Sequence, residues 1–200
     1  MKRSVALFDF DNTIAQGDSI KRLLKYDLKK RPWHIFCFIK VIFYCFGYYV
    51  LHFYSFEQAK SSLLFPLRSM DQDELKYFYR NYVAIHYYHH VIEEMKKRKK
   101  EGCFVIVCTA SVEDYMQYHE LPADCMIATL TNHGQIIGKN CKNEEKIYRI
   151  NKCLKEHNIE IDYDSSYGYS DSNSDIPMLS LVKNKKRVLL KTGQIIAFKE

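Results

Sequence analysis

The sequence predicts an α/β protein: a Rossmann-like parallel sheet with helices on both faces, plus a helical cap inserted after the first strand. Three observations carry that expectation. The apolar runs at residues 5–8 and 103–108 are short and uniformly apolar, as strands buried on both faces are. Helical stretches separate the strand-like runs, which is the alternation of a parallel sheet. An aromatic and basic stretch, residues 19–67, breaks that alternation directly after the first strand.

In chain order, the first strand ends in Asp9-Phe10-Asp11-Asn12-Thr13, and the helical region 19–67 follows. A more polar helical pattern covers 70–82, and a helix over 91–100 stops before Gly102. Its last turn, Lys96-Lys97-Arg98-Lys99-Lys100, reads as a solvated helix end whose cations complement the macrodipole. The strand 103–108 runs into Thr109-Ala110-Ser111, with a helix expected over 112–119 and a break at Pro122. A short strand at 126–129 precedes the hairpin-like Asn132-His133-Gly134-Gln135. A helix over 143–157, capped by Asn143, leads to a strand at 166–169 and the second acidic loop. A last strand is expected at 187–190, then a short tail. This divides the chain into an α/β core, residues 1–18 and 83–200, and a cap, residues 19–82.

Composition narrows the class. With 47% apolar residues in 200, the chain can bury a core without disulfides. Its seven cysteines show no C-x-x-C and no zinc-like spacing, so they read as free thiols in a reducing compartment. Met1-Lys2-Arg3 leads straight into the first strand without an apolar leader, so a cytoplasmic location is expected. The net charge of +6 comes without a recognised nucleic-acid module, and no nucleic acid is expected as a partner. Residues 33–54 hold ten aromatics and one formal charge, Lys40. They are long enough to cross a bilayer, yet Tyr enrichment and Lys40 favour packed cap helices or membrane-surface contact. The oligomeric state is not legible.

Chemistry concentrates in two acidic clusters: Asp9 and Asp11, and Gly168-Tyr169-Ser170-Asp171-Ser172-Asn173-Ser174-Asp175, whose Asp171 comes 162 residues after Asp9. Both follow strands, where an open α/β sheet presents its ligand crevice. Together such carboxylates can hold a hard cation such as Mg2+. Thr109 and Ala110 end another strand, and Lys146 falls in the first turn of a helix, with Lys139 and Lys142 as nearby alternatives. His86, His89 and His90 lack partner spacing and read as surface or packing residues.

The order Asp9/Asp11, Thr109, Lys146, Asp171/Asp175 resembles the haloacid dehalogenase superfamily, in its phosphoserine-phosphatase-like branch. The matching stretches are 8–19, 104–111, 140–149 and 167–179, covering the core but not the cap. The resemblance implies a Mg2+-dependent phosphatase acting on a small-molecule phosphomonoester through an aspartyl-phosphate. Asp9 would be the nucleophile, Asp11 the general acid and base, and Thr109, Ala110 and Lys146 the phosphate-binding groups. Mg2+ would take Asp9, the main-chain carbonyl of Asp11, and Asp171, with Asp175 holding a bound water or orienting the lysine. Asp18 stands where the resembled enzymes receive a substrate amine, and equally where a helix cap belongs. Their carboxylate-binding arginine is replaced by Leu63, with Lys60 as the nearby cation. The expected substrate is therefore an amino-alcohol phosphate or a phosphorylated precursor of a surface glycan. Two alternatives stand beside it: a phosphatidylglycerophosphate-type lipid phosphatase at the membrane surface, and a catalytically silent binding protein on the same scaffold.

Overall fold

The computed structural model describes residues 2–198; residues 1, 199 and 200, the outermost positions of the predicted core, lie outside them. The strands are β1 (Lys2–Arg3), β2 (Val5–Phe8), β3 (Phe104–Val112), β4 (Cys125–Thr129), β5 (Thr131–Asn132), β6 (Gln135–Ile136), β7 (Glu160–Ile161), β8 (Tyr167–Ser170), β9 (Asn184–Val188) and β10 (Ile195–Ala197). The helices are α1 (Ser19–Lys30), α2 (Cys37–Tyr49), α3 (Phe56–Leu63), α4 (Gln72–Phe78), α5 (His89–Lys100), α6 (Glu113–Met116), α7 (Glu144–Glu156) and α8 (Ile176–Leu179).

The main sheet runs β10-β9-β8-β2-β3-β4, all parallel except β10. Chain order reverses between β2 and β8, so their carboxyl ends flank the crevice of a doubly wound sheet. Side chains alternate across the sheet. Phe8, Val105, Val107 and Tyr169 face the core with α5 and the helical region, including Phe78, Val91, Met95 and Tyr115. Leu7, Ile106 and Cys108 face α7 and α8, meeting Ile150, Leu154, Met178 and Leu179. This two-residue period explains why the strands read as apolar throughout: both faces are covered.

The predicted order of elements stands, with four differences of extent and one strand added to the main sheet. The second strand runs on to Val112, because after an irregularity at Cys108 the chain pairs Val112 with Thr129. That extension reduces the expected 112–119 helix to one turn, α6. The last parallel strand is Asn184–Val188, not 187–190; its Asn-Lys-Lys-Arg-Val sequence hides a half-buried strand behind charge. The tail adds the antiparallel edge strand β10. Helix 70–82 is α4 followed by a π turn at Tyr79–Val83.

Of three other expectations, two change in detail. Asn143 sits at the α7 N-cap but in the left-handed region (φ 51°), and its side chain accepts no cap hydrogen bond. The turn between β5 and β6 is as read, with positive φ at His133 and Gly134. The basic end of α5 is not wholly solvated. Arg98 is buried, stacks over the Tyr167 ring at 3.5 Å, and donates to Glu94, Glu101 and the Tyr169 hydroxyl.

Between β2 and β3 the chain forms α1 to α5 and their connecting turns. No helix among the described residues is long and apolar enough to cross a membrane. All seven cysteines are free thiols, and His89 and His90 are exposed.

Candidate active site

Asp9 leaves β2 with its N–H donating to the Tyr169 carbonyl (3.0 Å), which ties the first acidic loop to the start of the second. Lys146, in the first turn of α7, reaches the same point. Its Nζ donates to Asp9 Oδ1 (2.6 Å) and Asp175 Oδ1 (2.7 Å), and the lysine is almost fully buried. The other Asp175 oxygen accepts from Ser170 Oγ (2.6 Å), so this carboxylate is engaged as the anchor of the lysine. Lys139 and Lys142 are exposed. Of the three lysines, Lys146 makes the contact with Asp9.

Asp171 approaches from β8. Thr13 Oγ lies between the two acidic loops, 3.4 Å from Asp9 Oδ2 and 3.2 Å from Asp171 Oδ1, and accepts from the Asp171 N–H (3.0 Å). Asp11 turns the other way. Its Oδ1 accepts from Ser19 N–H (2.9 Å), and its Oδ2 from Ser111 Oγ (2.6 Å) and Ser19 Oγ (3.1 Å). Tyr115 closes this hydroxyl cluster at 2.8 Å from Ser19 Oγ.

Burial pushes the Asp9 carboxyl up to about 7, against the lowering pull of Lys146. Burial also opposes the charge of Lys146, but the Asp9 and Asp175 carboxylates more than offset it and hold the lysine above its ordinary value. The pair is thus a lysine cation facing more carboxylate charge than it neutralises. Burial raises Asp11 to about 6, with hydrogen bonds from Ser111 and Ser19 opposing; a carboxyl so placed can give and take protons near neutrality.

Asp9, Asp11, Asp18, Ala110, Ser111, Lys146 and Asp175 line one pocket of about 230 Å³, joined by Lys60 from α3. Asp18 caps α1 by accepting from Lys21 N–H (2.9 Å), so cap and pocket wall are the same residue. Thr109 is buried behind the wall, its hydroxyl accepting from Ser111 N–H (3.0 Å). Leu63 is not among the residues lining this pocket, whereas Lys60 Nζ lies 2.5 Å from both the Ala110 carbonyl and Asn140 Oδ1. A wider groove of about 860 Å³ shares Phe56, Asn140 and Lys142 with the pocket but contains neither acidic loop.

Among the described residues no three or more His, Cys, Asp or Glu side chains form a ready-made metal cage. That does not argue against Mg2+, which commonly takes one or two carboxylates, carbonyls, waters and substrate phosphate. Asp9 and Asp171, facing each other across Thr13 beside surplus carboxylate charge, fit that pattern.

The haloacid dehalogenase-like hydrolase profile matches residues 6–180, spanning every one of these acidic and basic groups. The chain belongs to that family. No curated protein matches it. Among solved structures, this hydrolase is similar to a Bordetella pertussis Tohama I protein of unknown function. The TM-score is 0.75 at 20% identity, over 92% of this chain and 89% of that one. It is also similar to a phosphoserine phosphatase in apo form, with TM-score 0.65 at 16% identity over 96% and 88% of the two chains. A phosphoserine phosphatase solved as a phospho-aspartyl intermediate analogue gives TM-score 0.61 at 18% identity, over 92% and 86%. At these identities the likeness is one of fold.

Sequence reasoning missed several residues that hold this hydrolase's carboxylates in place or support the groups that do. Thr13 and Ser111 stand within quoted motifs and carried a signal. Ser19 was read only as part of a cap, and Tyr115 lies in a helix with no distinguishing pattern.

Proposed function

We propose that this hydrolase is a Mg2+-dependent phosphatase that cleaves a small phosphomonoester through an aspartyl-phosphate, with residues 19–82 acting as its cap. The observation that carries the proposal is the Lys146 ammonium between Asp9 and Asp175, with Asp11 lining the same pocket and Asp171 joined to Asp9 through Thr13. Asp9 attacks phosphorus, the bond to the substrate alcohol breaks, and Asp11 gives that oxygen its proton. In the second half, Asp11 takes a proton from water; the resulting hydroxide attacks phosphorus and frees phosphate and the Asp9 carboxylate. Lys146, the Ala110–Ser111 loop and Lys60 hold phosphate oxygens, and Thr109 supports that loop by its bond to Ser111 N–H. Asp9, the Asp11 carbonyl and Asp171 hold Mg2+, which neutralises charge on the transferring group. Asp175 orients the lysine.

The substrate class follows from the rest of the wall. Asp18 offers a carboxylate to an ammonium group, and no arginine lines the pocket. Lys60 is bound to Ala110 and Asn140, which supports a role for its charge at the phosphate end. We therefore assign an amino-alcohol phosphate, free or borne on a larger precursor of a surface glycan for which the adjoining groove provides room. A second reading, a phosphomonoester carried on a lipid, is favoured by α2, whose Tyr48 lines that groove while its outward side chains are apolar and exposed.

The test is Mg2+-dependent phosphate release from p-nitrophenyl phosphate, then from amino-alcohol, sugar, nucleotide and lipid phosphates. Phosphoethanolamine-like groups should exceed phosphoserine in kcat/KM, and Asp18→Asn should narrow that amine preference. No metal-dependent release from any of these would leave the silent-scaffold alternative standing.

A further inference from the structure

We infer that α2 and its flanking turns form a docking face for an anionic phospholipid bilayer. The outward side chains of α2 recur at helical spacing and are apolar: Ile39, Ile42, Phe43, Phe46 and Tyr49 are all at least half exposed. Trp33 and Phe36 precede them at 62% and 72% exposure, and Phe53 follows at 80%. At roughly 200 Å² per such side chain, half exposed, these groups present on the order of 800 Å², beyond the few hundred usual for a monomer's largest apolar patch. The helix is not loosely held. Its opposite side packs Val41, and Phe38 and Tyr48 meet Phe65 and Phe56 ring to ring.

Charge selects the occupant. Residues 19–54 carry seven Lys or Arg against one acid, Asp27, a net of +6 that equals that of the whole chain. Asp27 is fully buried and bound by Arg31 and His34, and Glu74 pairs with Arg31 and Lys30, so the surface charge rests on the other basic residues. Lys21, Lys25 and Lys29, four residues apart on α1, are exposed, as is Lys40 within the apolar face. A second copy of the chain would set these lysines against their own equivalents, whereas an anionic bilayer complements them. Trp33 and Tyr49, near opposite ends of the face, are residue types that favour the headgroup level. With thirteen residues, α2 extends about 20 Å and would lie along the interface rather than cross it.

Trp33 is the only tryptophan, so its emission reports on this face directly. The full chain should float with vesicles of phosphatidylcholine and phosphatidylglycerol, with Trp33 emission shifting to the blue and gaining intensity. Binding to phosphatidylcholine alone should be weaker. Ile39→Ser with Phe43→Ser should lower partitioning at least about tenfold while circular dichroism stays native. Lys29→Glu with Lys40→Glu should lower it roughly fivefold per lysine, and only on anionic vesicles. If anionic vesicles leave both Trp33 emission and flotation unchanged, the proposal is overturned. It is overturned equally if sedimentation shows a lipid-free dimer that the Ile39/Phe43 variant dissociates while vesicles bind neither protein. Neither readout involves turnover, so this result is independent of the phosphatase assignment.

Discussion

Asp9 and Asn differ by one atom type, which makes Asp9→Asn the sharpest test of the nucleophile. The amide fills the same volume in contact with Lys146 but cannot attack phosphorus, and Asp175 still pairs with the lysine. Turnover should fall on the order of 10⁴-fold or more with the fold retained, measured by steady-state kinetics and circular dichroism. Lys60 offers a test in pH. Burial lowers its ammonium to about 8, from the ordinary 10.5 of the unfolded chain. Below pH 8 both states hold the proton and the burial penalty is fully present. Between about pH 8 and 10.5 the folded state releases a proton that the unfolded state keeps, so stability rises with pH over that window. Lys60→Met should remove this rise and stabilise the protein at pH 7 by on the order of 2 kcal/mol. Thr129 Oγ stays within 2.9 Å of the Ala110 carbonyl and 3.1 Å of Asn140 Oδ1, so its single proton serves one of the two acceptors that Lys60 leaves. The same substitution should lower kcat/KM, and wild-type kcat/KM should decline above pH 8; a denaturant series across pH, with matching kinetics, checks both. Asp9, Asp11 and Asp171 were legible because each follows a strand within a dense acidic motif. Lys60 was legible only as a cation near the absent arginine, since nothing in the spacing of α3 shows which face meets Ala110.

At the scale of elements, legibility followed burial. β2, β3 and β8 announced themselves because two covered faces leave little room for polar side chains. β9 did not, because three of its five residues are Lys or Arg, half-buried near the sheet edge. The end of α5 misled for a related reason. Five consecutive cations look solvated in a linear sequence, yet helical geometry turns Arg98 inward while its neighbours stay out. There its guanidinium stacks on Tyr167 and donates to Glu94 and Tyr169, fastening α5 to β8. Arg98→Ala should therefore destabilise the protein by about 3 kcal/mol, leaving Glu94 without its principal cation and Tyr167 without its stacking partner. Arg98→Lys should recover only part of that, because an ammonium lacks the planar fork. Urea midpoints for the two variants decide it: equal midpoints for Arg98→Lys and wild type would mean that only the charge matters.

Across the whole molecule, the sheet order gathers acids from distant parts of the sequence. β2 and β8 are 162 residues apart at their acidic ends, yet adjacent in the sheet, so folding itself assembles the Asp9–Thr13–Asp171 arrangement. The unfolded chain has no such site. A cation that binds only the folded form stabilises it by about 2.7 kcal/mol when present at a hundred times its dissociation constant. For a domain of this size that corresponds to a rise in Tm of roughly 5–10 °C. Mg2+ added to metal-free protein should therefore raise Tm in a concentration-dependent way, and EDTA should reverse it. In Asp171→Ala one of the two facing carboxylates is missing, so the response should need much higher Mg2+ or disappear. The variant without Mg2+ should be at least as stable as metal-free wild type, because burial already disfavours the Asp171 charge. A wild-type Tm indifferent to Mg2+, or an Asp171→Ala protein with the wild-type response, would remove Asp171 from the metal site while leaving the Asp9–Lys146 chemistry to be judged on its own kinetics.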